Sequence, residues 1–285
     1  MAVATGTACR VITRFAPSPT GPLHIGHAYS AILAFEAAQK AGGTFLLRIE
    51  DFDSTRCKPD FEAQIYDDLA WLGLSWPAPR RQSDHMFDYA NVIAALADKN
   101  LVFPCSCNRR LILETGAGTG PDGPIYPGTC TNRPMDQAQS GDAIRLNLTK
   151  ALDHLPSQLS YIDTDETVTL ETHNLPQTIG APILRRRDTG DPAYHLTCTH
   201  DDALQGVTHI IRGADVAALT PIHIVLQHLM GWPTPRYIHH DLITDESGKR
   251  LAKINKSKSI ASYRAEGATQ NDIRRMIGLP ASFRQ

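Results

Sequence analysis

No stretch of this chain approaches the ~20 consecutive apolar residues that a membrane-crossing helix needs. Its N-terminus, Met-Ala-Val-Ala-Thr-Gly-Thr-Ala-Cys-Arg, lacks a basic start followed by an apolar run, so it does not read as a secretory leader. Low-complexity tracts and internal repeats are missing as well, which excludes solenoids and compositional disorder. A cytoplasmic globular protein is the expectation. Cysteine is sparse, six in 285 residues, and in such a chain metal binding is expected ahead of disulfides. Acid is sparse at one end only. From Lys249 to Arg284 nine basic residues face just Glu266 and Asp272, about +7, whereas residues 1–248 carry about −9. A basic end on an acidic body suggests a localised polyanion site; a solvated helical face is the alternative.

What is present is organised around residues 14–27, Arg-Phe-Ala-Pro-Ser-Pro-Thr-Gly-Pro-Leu-His-Ile-Gly-His. An apolar strand-like lead, Val11-Ile12, enters a Pro/Gly-rich turn, and a helix bearing His24 and His27 follows. The turn lets backbone approach a ligand closely. The helix start offers unpaired N–H groups and a positive dipole end, which suit phosphate. Two histidines three apart share one face of that first turn.

The helical spacing of residues 28–40 stops at Gly42-Gly43, and Thr44–Glu50 reads as a buried strand. Strand–helix–strand over about 40 residues implies a right-handed crossover and a parallel sheet. Its ligands then lie beyond the C-terminal strand ends, where Arg14–Ser18 and Glu50–Asp53 converge. Residues 58–72 and 84–99 read as amphipathic helices with a loop at 76–81 between them. Residues 101–135 break the rhythm with a Gly-rich centre between cysteines, and Ala143–Leu148 and Thr167–Glu171 suggest a small β-containing subdomain. Pro182–Pro192 reads as a hairpin tipped by Asp188-Thr-Gly190. A helix over 194–204, a strand over 207–211, a helix over 221–230 and a strand over 237–240 resume the αβ alternation. The expected division is 1–100 and 181–240 as two halves of one catalytic domain, 101–180 as an insertion, and 241–285 as a loop with a short helical tail.

The string at 14–27 resembles the ATP-binding signature of class I aminoacyl-tRNA synthetases, with its His-Ile-Gly-His intact. Arg14-Phe-Ala-Pro-Ser-Pro-Thr-Gly-x-Leu-His-Ile-Gly is similar to the glutamyl branch in particular. Leu47-Arg-Ile-Glu-Asp-x-Asp53, Asp201-Asp202-Ala203 and Arg212-Gly-Ala-Asp215 match that branch in the same order, so the resemblance runs from Arg14 to about Ser257. It implies an α/β fold with a Rossmann-like parallel-sheet catalytic domain, an inserted zinc-containing subdomain and a helical C-terminal tail. It also implies activation of glutamate by ATP with Mg²⁺. An ionised carboxylate attacking phosphorus needs no strong base, so catalysis rests on positioning and charge stabilisation.

The resemblance assigns ATP binding to His24, Gly26, His27, Arg250 and Lys253, with His24, His27 and Lys253 catalytic. The segment Asp245–Lys253 resembles the branch's lysine loop, but reads Arg250-Leu-Ala-Lys253, with Ala252 in place of a serine. Arg14, Ser18, Glu50, Tyr194 and Arg212 take the glutamate-binding positions. Arginine forks suit carboxylates and Glu50 suits the ammonium, with the pairing of arginines to carboxylates open. Tyr194 capping a core helix is the alternative for that residue.

Cys105-x-Cys107 followed by Cys130 suggests three thiolate ligands of a tetrahedral structural zinc. The resemblance points to Tyr126 as the fourth ligand; His154 and His173 are alternatives. Cys9, Cys57 and Cys198 are expected to be structural or incidental.

Glutamyl-tRNA synthetases carry a large anticodon-reading domain after the lysine loop, where this sequence has about thirty residues. On that ground the chain resembles the glutamyl-queuosine tRNA(Asp) synthetase family, whose members transfer glutamate to queuosine in the tRNA(Asp) anticodon. Queuosine-bearing tRNA(Asp) is then the expected RNA partner, with a monomer as the expected state. The basic end and Arg185–Arg187 are candidates for backbone contact. A truncated glutamyl-tRNA synthetase and a catalytically silent RNA-binding paralogue are the competing readings.

Overall fold

The computed structural model describes residues 10–243 and 258–281. In chain order the strands and longer helices are β1 (Ile12–Phe15), α1 (Ile25–Lys40), β2 (Thr44–Ile49), α2 (Pro59–Trp71), β3 (Arg80–Arg81), α3 (Met86–Asp98), β4 (Val102–Cys105), α4 (Arg109–Glu114), β5 (Thr119–Gly120) and β6 (Gly123–Pro124). There follow β7 (Ala143–Leu146), α5 (Leu148–Ala151), β8 (Gln158–Asp163), β9 (Glu166–Glu171), α6 (Leu175–Thr178), β10 (Ile183–Arg185), α7 (Tyr194–Leu204), β11 (His209–Gly213), α8 (Thr220–Met230) and β12 (Arg236–His240). Two short helices, Ile260–Ala265 and Gln270–Met276, close the described chain.

The chain forms two compact units. The first comprises residues 1–81, 206–214 and 236–285; the second comprises 82–205 and 215–235. This cuts the chain elsewhere than the expected boundaries at 100/101 and 180/181. Helices α3, α7 and α8 belong with the second unit, because α7 packs against both α3 and α8.

In the first unit five strands run in the order β3-β2-β1-β11-β12, with every neighbouring pair parallel. The expected strand–helix–strand crossover is β1-α1-β2. Its tight return needs Gly43, where an added Cβ would stand 2.0 Å from the Val11 carbonyl oxygen. Alanines 28, 31, 34 and 38 of α1 are buried, so the helix lies close against a core built from Phe15, Leu47, Ile49, Ile65 and Leu69. The two terminal helices join it through Ile260, Ile273 and Ile277.

The second unit holds an antiparallel three-stranded sheet, β10-β7-β4, and two hairpins, β5-β6 and β8-β9. The β8-β9 turn places Thr164 and Asp165 at positive φ (45° and 69°), the two-residue geometry that matches strand twist. Asp201 on α7 is fully buried and accepts hydrogen bonds from Gln82 Nε2 and Tyr89 OH, each at 2.9 Å. That carboxylate ties α3 and its leading turn to α7. The strands β4 and β8 and the helix α4 are not among the sequence expectations. β4 is short, and α4 lies beside the glycines that read as loop.

Candidate active site

In the first unit the candidate residues lie where a parallel sheet directs ligands, at and beyond the C-terminal ends of β1, β2 and β11. Arg14 lies on β1, Glu50 directly follows β2, and Arg212 lies near the end of β11; all three are buried. The turn after β1 is braced on the segment after β2: Glu50 N–H donates to the Pro17 carbonyl and Lys58 N–H to that of Pro19, both at 3.0 Å. Ser18 is exposed on this turn.

Glu50 is not a lone carboxylate. Arg48 Nη2 stands 3.3 Å from Glu50 Oε1, with both side chains buried. Asp53 is a local organiser. Its Oδ1 accepts from Thr55 N and Oγ1 and from Arg56 N, and its Oδ2 pairs with Arg56 Nε at 2.7 Å. The acidic string at 50–53 therefore holds one candidate for substrate binding and one residue that shapes the loop.

His24 caps α1. Gly26 N–H donates to His24 Nδ1 at 3.1 Å, and His24 N–H donates to His27 Nδ1 at 3.2 Å. The two rings stack, with centroids 3.7 Å apart at 22°. Gly26 makes room for this: an added Cβ would come within 3.0 Å of the His24 ring. Because each Nδ1 accepts a backbone proton, each neutral ring carries its own proton on Nε2. Burial lowers the pKa of His24, and burial followed by the neighbouring His24 brings His27 to about 3. The pair is thus uncharged at neutral pH and offers two Nε2–H donors at a helix N-terminus.

Arg250 and Lys253 lie outside the described residues, but both flanks of their segment are placed. On one side His240 Nε2 is 2.7 Å from Ser30 Oγ and its ring packs edge-on against Tyr29. On the other, Ser259 bridges His24, and Ile260 N–H donates to the Leu23 carbonyl at 2.8 Å. The described residues on either side, His240 and Ser259-Ile260, thus both contact the start of α1. Sequence reasoning missed Ser30, His239 and His240. Arg212 Nε donates to His239 Nε2 at 3.1 Å and its guanidinium faces the Tyr237 ring, so β12 orients a predicted substrate arginine. The alternating His-His at 239–240 is the only sequence signal for it.

In the second unit Tyr194 opens α7, its ring 5.5 Å from His195 and 5.7 Å from His223. Cys105, Cys107 and Cys130 converge there, with sulfurs within 4.8 Å of one another. Tyr126 OH lies 3.4 Å from Cys105 Sγ and 3.7 Å from Cys107 Sγ, and Cys107 and Cys130 are 3.7 Å apart. Zinc–sulfur bonds of about 2.3 Å in a tetrahedron place the sulfurs about 3.8 Å apart, so the donor set fits the ion. Burial disfavours the Cys130 thiolate, but hydrogen bonds, from Tyr126 foremost, outweigh it and bring its pKa to about 7. No histidine or carboxylate joins the three sulfurs among the described residues. His173 is exposed beside Glu171 and His154 is exposed, so neither takes the fourth place. Cys57 is half-buried, its thiol pushed up to about 11 by burial and then Asp53; Cys198 is buried beside His223. Cys9 lies outside the described residues.

Comparison with known proteins identifies the family. Residues 10–281 match the family of tRNA synthetases class I (E and Q), catalytic domain. The chain belongs to that family. It is 46% identical to a glutamyl-Q tRNA(Asp) synthetase of Rhodobacter capsulatus, over 94% of this chain and all of that one. It is 35% identical to a protein of the same name from Nitratidesulfovibrio vulgaris, over 95% of this chain and 86% of the other. A glutamate tRNA ligase of Elizabethkingia meningosepticum, solved with its amino acid, has a similar fold, with a TM-score of 0.74 at 24% identity. The match covers 94% of this chain, which spans 60% of that structure's length. The α/β architecture and largely parallel sheet expected of this synthetase family are those observed. No described helix is long and apolar enough to cross a membrane.

Proposed function

We propose that this protein joins L-glutamate to ATP, giving glutamyl-adenylate and pyrophosphate, and then transfers the glutamyl group to queuosine in the anticodon of tRNA(Asp). The observation that carries the first half is the neutral His24–His27 pair at the start of α1, with both flanks of the Arg250–Lys253 segment held beside it. The named relatives, 46% and 35% identical over nearly the full chain, carry the second.

A glutamate carboxylate oxygen attacks the α-phosphorus, one P–O bond forms, and the bond to pyrophosphate breaks. Two Nε2–H donors aimed at phosphoryl oxygens stabilise the charge that shifts onto them, each contributing ~10²–10³ in rate. Arg250 and Lys253 supply positive charge to the leaving pyrophosphate. Arg14 and Arg212 hold the glutamate carboxylates and Glu50 its ammonium, with Ser18 and Tyr194 the remaining glutamate-binding residues of this reading. Mg²⁺ bound with ATP offsets phosphate charge. Cys105, Cys107, Tyr126 and Cys130 would hold Zn²⁺, which would cross-link the second unit. The RNA acceptor then takes the acyl group and AMP leaves. The protein works as a monomer in the cytoplasm.

Glutamate-dependent exchange of pyrophosphate into ATP, without RNA, tests the activation half. Exchange with glutamate and not with glutamine is expected; none with either would contradict the reading.

A further inference from the structure

The second unit contains a cavity of about 550 Å³ that no step above uses. Its walls come from the start of α4, from β7 and from the segment at and after β10. The lining alternates apolar and cationic groups: Ile112 and Ile183 on the sides, with Arg109, Arg145, Arg186 and Arg187 around them. Two carboxylates also face it, and both are engaged. Asp188 pairs with Arg186 at 2.8 Å, and Asp122 stands 3.2 Å from His195 Nε2.

The other three guanidinium groups pair with neither carboxylate, although Arg187 helps Arg133 hold the Asp142 carboxyl below its usual range. Arg145 is nine-tenths buried, lies 4.5 Å above the Tyr126 ring and donates once, to the Ala181 carbonyl at 2.8 Å. Its Nε has no hydrogen-bond partner. Arg109 and Arg187 are exposed at the rim. A buried guanidinium with so few partners costs folding free energy, as does a cluster of like charges. A volume of this size suits a small organic group, and an apolar slot ringed by arginine suits a flat base carrying anionic phosphates. Arg109 and Arg187 come from separate segments, which lets them meet phosphates on a continuing strand as well as on a single mononucleotide.

We propose that this cavity binds one unstacked nucleotide of the RNA acceptor, its base in the slot and the flanking phosphates on Arg109 and Arg187. This rests on the reading of the protein as an RNA-acylating enzyme and names a place where the RNA is held apart from the chemistry. Phosphate contacts give a salt-dependent term, and base insertion gives a shape-dependent one.

The test uses the full chain and a fluorescein-labelled anticodon stem-loop of tRNA(Asp), with binding followed by anisotropy over a range of salt. Arg109→Gln/Arg187→Gln is expected to weaken binding about tenfold and to flatten the salt slope by about 1.5. Ala181→Leu, which narrows the slot, is expected to weaken binding with the slope unchanged. Glutamate-dependent pyrophosphate exchange reports whether the variants fold. Loss of exchange in both variants overturns the proposal, as the cavity would then serve activation or folding. Wild-type binding and charging, matched by both variants, overturns the cavity proposal alone. A wild-type chain that charges no RNA overturns the functional reading, and this proposal with it. Displacement of the stem-loop by micromolar guanosine 5′-monophosphate marks a free-nucleotide site and also overturns it.

Discussion

His24 and His27 fix each other's protonation through the backbone: the His24 N–H donates to His27 Nδ1, and the His24 ring accepts from Gly26 N–H beneath a stacked partner. A pair of histidines at a helix N-terminus proposed to meet phosphate is easily read as a pair of cations. Here the folded pKa of His27, about 3, lies far below the ordinary 6.5, so both rings act as neutral donors. His27→Gln should lower pyrophosphate exchange by about 10²–10³ with little change in glutamate affinity. A lowered histidine pKa means the unfolded chain binds more protons, so its contribution to stability is present above about 6.5 and lost as pH falls toward 3. Acid denaturation of His27→Gln should therefore begin at lower pH than that of the wild type.

Gly26→Ala tests the same pair without removing either ring. Its Cβ would crowd the His24 imidazole, displacing the ring from its cap. Exchange should fall about tenfold or more, with the melting temperature lowered only slightly.

Lys253→Ala should impair adenylate formation by about 10²–10³ and leave glutamate binding, measured by calorimetry, unchanged. An unaltered exchange rate would reject its assigned role at the pyrophosphate.

Asp68 on α2 is fully buried, and neither carboxylate oxygen has a hydrogen-bond partner. Burial, reinforced by Asp67 and opposed by Arg264, pushes its pKa up to about 6. The folded state keeps a proton that the unfolded chain releases near 3.8, so stability falls as pH rises from about 4 to 6. Asp68→Asn should add roughly 2 kcal/mol at pH 7 and nothing at pH 4, read from urea melts.

Cys105→Ser should lower zinc content and destabilise the second unit, as measured by metal analysis and thermal melts. Stoichiometric zinc in that variant would remove Cys105 from the ligand set.

Much of the first unit was legible because its signals are local. A Pro/Gly turn, the alanine face of α1 and Gly42-Gly43 each follow from a few neighbouring residues. Likewise α7 begins at Tyr194 and ends at Leu204, as its spacing predicts. The unit boundary was not legible, since it depends on α3 and α8 packing against α7 from more than a hundred and about twenty residues away, respectively. The partners of the site were hidden for the same reason. Nothing near Arg212 in sequence announces His239, twenty-seven residues on, whereas Arg48, two residues before Glu50 on the same strand face, was a local signal left unread. The cavity beside Tyr126 draws on four separate segments, so it exists only once β7 and β10 are paired.

The central claim is tested most directly by charging purified tRNA with labelled glutamate and ATP. Tested side by side would be tRNA(Asp) with queuosine, tRNA(Asp) lacking it, and tRNA(Glu). Label should enter only queuosine-bearing tRNA(Asp). Label in tRNA(Glu), or equal label in tRNA(Asp) without queuosine, would contradict the account.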